Sequence, residues 1–150
     1  MVEWADRFDI PVYLHENDRQ WVMRPSERIR FWSGDTYKLA DGISLIRLGG
    51  HFPGGTVLHW EEGADGKGAL LSGDIIQVVS DRRWVSFMYS YPNLVPLPAA
   101  EVQRIRDTIE PYQFERLYGA WFEREVRHHA HDAVMRSAER YIRALERVGR

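Results

Sequence analysis

Two short stretches, ISLIRL (Ile43–Leu48) and GALL (Gly68–Leu71), are apolar at most positions. A strand with one wet face alternates apolar and polar residues, so a strand that does not alternate is expected to be buried on both faces. One layer of helices cannot cover both faces of a sheet. The chain is therefore expected to fold as a layered α/β sandwich. Neighbouring residues extend the sheet. TYKLADGISLIRLGG reads as strand, Asp41-Gly42 turn and strand, because Asp-Gly supplies the left-handed backbone of a two-residue hairpin. GTVLHWEE is a third strand, ADGKG a loop and GALLSGD a fourth strand. IIQVV follows at once, and FERLYGAW is one more strand near the end.

Helices flank this region. Val2, Ala5 and Phe8, with Trp4 beside them, fall at helical spacing, and IPVYLH (Ile10–His15) is a short strand. ENDRQWVM carries acidic groups in a first turn and predicts a short helix ending before Pro25. A helix from about Pro98 to Ile109 sets Val102, Ile105 and Ile109 on one side. A second, from about Glu123 to Val148, carries the stripe Val126, Ala130, Val134, Tyr141 and Leu145, with Glu139 and Arg143 as an exposed pair.

With 150 residues, 44% of them hydrophobic, and no repeat, low-complexity tract or linker, a single domain spanning 1–150 is expected. The net charge of −2 comes from dispersed Lys and Arg, so no phosphate-seeking surface is expected and nucleic acid is not an expected partner. The absence of cysteine excludes disulfides, thiolate metal sites and a cysteine nucleophile, and it suits a reducing, cytoplasmic location. MVEWADRFDI lacks the apolar core of a signal peptide, and no run approaches the roughly 20 apolar residues that cross a bilayer. A soluble protein without membrane contact is expected. No G-x-S-x-G elbow, phosphate loop or dinucleotide fingerprint occurs.

Chemistry concentrates at two strand ends. In RLGGHFPGGTVLHW, His51 sits between paired glycines, which allow a side chain to project from a tight loop into a cleft. In LLSGD, Asp74 closes an apolar strand, where an ionised carboxylate needs a partner, a hydrogen bond or a metal. Each has a plain structural alternative, a backbone hydrogen bond for His51 and a chain bend for Asp74.

The order GGHFPGG then SGD resembles the C-terminal part of the metallo-β-lactamase fold superfamily, which carries a Gly-His-x-Pro-Gly motif and a later Gly-Asp. The resemblance implies an αββα sandwich and a zinc or other divalent metal held in part by His51 and Asp74. It also implies hydrolysis of an ester, thioester, lactone or amide in a small-molecule substrate. The family's H-x-H-x-D-H signature is absent, so the architecture is expected to be incomplete at its N-terminal side. The family's last histidine has no counterpart either, since LYGAW places Ala120 and Trp121 there. Two donors hold zinc weakly, because a catalytic zinc takes three protein ligands and an open position. Two function classes therefore stand. One is a metal-dependent hydrolase whose missing ligands come from elsewhere. The other is a non-catalytic ligand- or partner-binding domain that self-associates through its unpaired apolar surface.

Other candidates read as structural. His59 is expected to point into a packed layer or to solvent, and His15, before Glu16 and Asp18, is expected to cap a helix. His128, His129, His131 and Asp132 have helical metal-clasp spacing but flank the apolar stripe, as a solvated face does. In RRWVSFMYSYPN, Trp84, Phe87, Tyr89 and Tyr91 alternate with smaller residues. They are expected either as core or as a substrate wall, with Trp121 joining Trp84, Phe87 and Tyr89 as substrate contacts.

Overall fold

The hairpin chemistry at Asp41-Gly42 holds: Gly42 has φ +69°, and the strands on either side pair antiparallel from Thr36↔Ile46 to Ala40↔Ile43. The structure, a computed structural model, describes residues 1–148. In chain order it comprises α1 (Val2–Phe8), β1 (Val12–His15), a 3₁₀ turn (Glu16–Trp21) and β2 (Ile29–Trp32). Then come β3 (Thr36–Ala40), β4 (Ile43–Arg47), β5 (Thr56–Trp60), the single turn α2 (Gly63–Gly66) and β6 (Ala69–Gly73). Short strands β7 (Gln77–Val78), β8 (Val85–Ser86), β9 (Met88–Ser90) and β10 (Val95–Pro96) lead to α3 (Ala99–Ile109). The chain closes with β11 (Arg116–Gly119), β12 (Glu125–Val126) and α4 (Ala130–Val148).

Six strands form the main sheet in the order β12-β11-β6-β5-β4-β3. One face carries Ile46, Val57, Leu70 and Leu117, all fully inaccessible. They pack with Val102, Ile105 and Ile109 of α3 and with Ala130, Ala133, Val134 and Ala138 of α4. The periodicity read for α3 is the periodicity that buries it, and Pro98 stands at its N-cap.

The second face is covered less completely than the apolar strands predict. Cross-strand partners Tyr37, Leu45, Leu58, Leu71 and Tyr118 form one row across it. Leu45 is buried, yet Leu71 is 42% exposed and Trp60 45%. The small parallel pair β1–β2 lies against this side, through Tyr13 and Trp32 on Tyr37. A groove of about 350 Å³ remains between β1 and Leu45, Leu58 and Leu71. The architecture is thus an α/β sandwich with one complete helix-covered face and one incomplete sheet-covered face.

Other expectations need correction. Helix α4 starts at Ala130 and not at Glu123, because Glu125–Val126 pairs with Tyr118 and Leu117 at the sheet edge. His129 just before it is left-handed (φ 53°), so the helix cannot extend backwards. Phe8 and Trp4 stack on each other at 5.4 Å and both stay exposed, leaving Val2 and Ala5 as the buried side of α1. IIQVV supplies only the two-residue β7, and strand β2 carried no clear signal in RIRFW. No helix among the described residues is long and apolar enough to cross a membrane.

Candidate functional site

Strand direction gathers the chemistry. Because β4 is antiparallel to β5, β5 antiparallel to β6 and β6 parallel to β11, the C-terminal ends of β4, β6 and β11 share one edge of the sheet. His51 follows β4, Asp74 follows β6, and Ala120 and Trp121 follow β11. Gly73 pairs with Gly119, so positions 74 and 120 are neighbours on that edge.

The His51 loop is closed at its neck, where the Leu48 and Gly49 amides both donate to the Gly55 carbonyl at 2.8 and 2.9 Å. Gly49 and Gly50 turn the chain with φ +64° and +84°, a region that costs glycine nothing. A Cβ on Gly50 would also meet Ile105 and Leu97 at 3.1 Å, so the loop lies directly on α3.

His51 is half-buried, and its Nδ1–H donates to the Tyr89 carbonyl at 3.0 Å. A carbonyl only accepts, so Nδ1 carries a proton, and Nε2 is the nitrogen left free of this bond. Histidines that bind metals or ligands through one nitrogen are oriented in this way through the other. The ring also packs against Phe52 (5.0 Å) and Tyr91 (5.3 Å). Tyr91 is the link to Asp74: its hydroxyl donates to the Asp74 carbonyl at 2.7 Å. Burial, followed by the nearby Asp74 charge, pushes the Tyr91 phenol well above its ordinary range, so it remains a neutral donor. His51 and Asp74 thus lie on one edge with the Tyr91 side chain bridging them.

A cavity of about 770 Å³ opens beside His51, lined among others by Trp21, Phe52, Tyr89, Glu101 and Arg104. Arg104 pairs with Glu101 at 2.8 Å, and Arg47 at the rim pairs with Asp35 at 2.6 Å. The charges are balanced and the rings are available, so the cavity suits a small, largely apolar molecule. Trp21, Glu101 and Arg104 were missed from sequence. Their only signals were an exposed tryptophan closing a turn and an i,i+3 pair at the start of α3.

The four aromatic candidates separate. Tyr89 lines the His51 cavity. Phe87 cannot contact a substrate: it is fully buried against Tyr141 (5.7 Å), whose hydroxyl donates to the Phe87 carbonyl. Trp84 lines a different cavity of about 660 Å³, with the Arg140 guanidinium 4.3 Å above its ring. Trp121 is 63% exposed on the edge beyond β11.

Four of the other five histidines have structural partners for their rings. His15 is buried, its Nδ1 accepting from the Asn17 amide and its Nε2 bonded to the Gly34 carbonyl. His59 bonds to the Gln113 carbonyl at 2.8 Å and His131 to the Glu110 carbonyl at 2.9 Å. His128 meets Glu115, whose carboxyl is held below its usual range by the His129 backbone amide first and by His128 second. Among the described residues no three His, Asp or Glu side chains are placed to hold a metal ion. The donors present do not make a zinc site.

No family model matches the chain. Over 144 residues it is 58% identical to YmaE, an uncharacterised protein of Bacillus subtilis (strain 168). That match covers 96% of this chain and 52% of YmaE, so the chain spans about half the length of this relative. The structure superimposes on the DIM-1 metallo-β-lactamase with a TM-score of 0.60 and 14% identity, over 92% of this chain and 62% of that one. It is also similar to TTHA1623, solved in a di-iron-bound form (TM-score 0.51, 22% identity, 79% of this chain and 60% of that one). A third match is the BLEG-1 B3 metallo-β-lactamase (TM-score 0.50, 18% identity, 78% and 60%). The chain therefore has the metallo-β-lactamase fold, over about three-fifths of the length that fold occupies in these structures.

Proposed function

We propose that this chain is a binding module of the metallo-β-lactamase fold, which takes a small apolar molecule into the cavity beside His51 and does not by itself hydrolyse it. The observation that carries this reading is the His51 ring. Its Nδ1–H is committed to the Tyr89 carbonyl, and it stands in a wall of aromatic side chains with Nε2 left free of that bond. No third donor joins it and Asp74 among the described residues. Benzyl acetate, an unactivated alkyl ester that carries an aromatic ring, is the probe. In an NMR titration of the chain, amide signals of His51, Phe52 and Tyr89 should shift. Release of benzyl alcohol should stay at the buffer rate, with and without added zinc. Absence of those shifts up to the probe's solubility would overturn the cavity reading, and accelerated release would overturn the non-hydrolytic one.

A second reading is favoured by the shared edge of β4, β6 and β11 and by the greater length of the fold relatives. In that reading the chain contributes His51 and Asp74 to a divalent-metal hydrolase completed by residues outside it. The substrate would be an ester, thioester, lactone or amide. A version extended to the length of YmaE would then hold one or more equivalents of zinc and lose them on His51→Ala or Asp74→Ala; no stoichiometric zinc would exclude it. The half-exposed row through Leu58 and Leu71 further supports self-association of the chain. Sedimentation that gives a monomer at all concentrations, unchanged by Leu71→Glu, would remove that partner.

A further inference from the structure

The His51 loop is held from outside by a segment more than thirty residues away in sequence. Asp18, on the 3₁₀ turn after β1, accepts the Gly54 amide on Oδ1 at 2.8 Å. Carboxylate and loop are in direct contact, since a Cβ on Gly54 would lie 2.8 Å from Asp18 Cγ and Oδ2. Three residues further along the same turn, Trp21 meets Phe52 edge-to-face at 5.9 Å, and both rings line the His51 cavity. The turn is itself anchored. Buried His15 at its N-cap accepts the Asn17 amide at 3.2 Å on Nδ1 and bonds the Gly34 carbonyl at 3.0 Å through Nε2. A connected path therefore runs from the core at His15 through Asp18 to Gly54 and on to His51.

We propose that Asp18 is the positioning residue of this site: by gripping the Gly54 amide, its carboxylate fixes the His51 loop and sets the Trp21–Phe52 side of the cavity. The proposal rests on the reading of the His51 cavity as the site. A charged acceptor on a backbone amide is among the stronger hydrogen bonds in a protein, and a loop rich in glycine has little stiffness of its own. The other hydrogen bonds on the loop, at its neck, from the Thr56 hydroxyl to the Gly54 carbonyl and from His51 to Tyr89, do not tie it to the 3₁₀ turn.

The test compares the full chain with Asp18→Ala and Asp18→Asn by NMR. In Asp18→Ala the Gly54 amide should exchange with solvent about 10- to 100-fold faster, the scale of one lost charge-assisted hydrogen bond. The His51 side-chain ¹⁵N signals should move from the single Nδ1-protonated form towards an average of both tautomers. Asn keeps an acceptor oxygen, so Asp18→Asn should restore the His51 signals and most of the protection. Wild-type exchange at Gly54 in Asp18→Ala would overturn the proposal. So would faster exchange with unaltered His51 signals, which would make Asp18 a backbone tie only. If Asp18→Ala does not fold, Asp18→Asn decides through Gly54 alone: a several-fold loss of protection, from exchanging a charged acceptor for a neutral one while the His51 signals hold, supports the grip, and fully wild-type protection refutes it. Benzyl acetate binding by the wild type is scored separately. Its failure would remove the cavity reading and leave the Asp18 result standing.

Discussion

Tyr91→Phe removes one oxygen from the bridge between the two candidate residues and leaves the ring in place. The hydroxyl is partly buried and donates at 2.7 Å to the Asp74 carbonyl. Its loss removes a net contribution of about 1 kcal/mol and leaves a shielded carbonyl short of a donor, so the variant should be less stable by about 1–2 kcal/mol at pH 7. With a urea slope near 1.5 kcal/mol/M, the denaturation midpoint falls by about 1 M. The pH dependence identifies the group. Burial and the Asp74 charge raise the folded-state phenol above its ordinary value of 10.0, so its stabilising effect is complete below pH 10. Above that pH the unfolded chain releases a proton that the folded chain keeps, and the wild type loses stability as pH rises towards the folded value. Phenylalanine has no proton to release, so the gap between wild type and variant should shrink from pH 9 to pH 11. Urea titrations at several pH values, followed by tryptophan fluorescence, measure this. A gap independent of pH, or no gap at pH 7, would refute the bridge.

Two neighbouring leucines test the two faces of the sheet. Leu70→Ala, on the dry face, should cost about 2–5 kcal/mol, whereas Leu71→Ala, already 42% exposed, should cost well under half as much; equal losses in thermal denaturation would contradict the one-sided core. Phe87→Ala should cost about 3–5 kcal/mol and leave the His51 cavity lining in place, while Tyr89→Ala should cost little stability and weaken benzyl acetate binding. The reverse pattern would return Phe87 to the substrate wall.

Much of the sheet was readable because its signals are local. Asp41-Gly42 names a hairpin, and Val102, Ile105 and Ile109 name the face of α3 at once. The misreadings share a different cause. Val126 has the right spacing to extend the α4 stripe, yet a strand edge at β11 offers its backbone partners, and pairing wins over periodicity. The alternation Trp84, Phe87, Tyr89 looks like one wall, but short strands and turns between Val85 and Pro96 send the three rings to a separate cavity, the core and the His51 cavity. At the site, His51 and Asp74 were legible from their glycines. Asp18 and Arg104 were not, because each acts through a distant backbone group, Asp18 through the Gly54 amide and Arg104 through the Leu48 carbonyl to which it donates.

Part of a fold can pack stably where part of a metal centre binds weakly, because the two depend on numbers of residues in different ways. A core weakens gradually as contacts are lost, whereas a metal centre needs its full set of donors. Here the sheet edge supplies three positions, His51 after β4, Asp74 after β6 and Ala120 after β11, and the third has no donor atom in its side chain. Since Gly73 pairs with Gly119, position 120 is adjacent to Asp74, so Ala120→His would add an imidazole to the same edge. Four-ligand zinc sites bind with roughly 10–16 kcal/mol, about 3 kcal/mol per ligand, which corresponds to a gain on the order of a hundredfold in zinc affinity. Competition with a chromophoric chelator measures it. The gain should vanish when His51→Ala is combined with Ala120→His. An affinity unchanged by the added histidine, or a gain that survives removal of His51, would mean that the three strand ends do not face a common point.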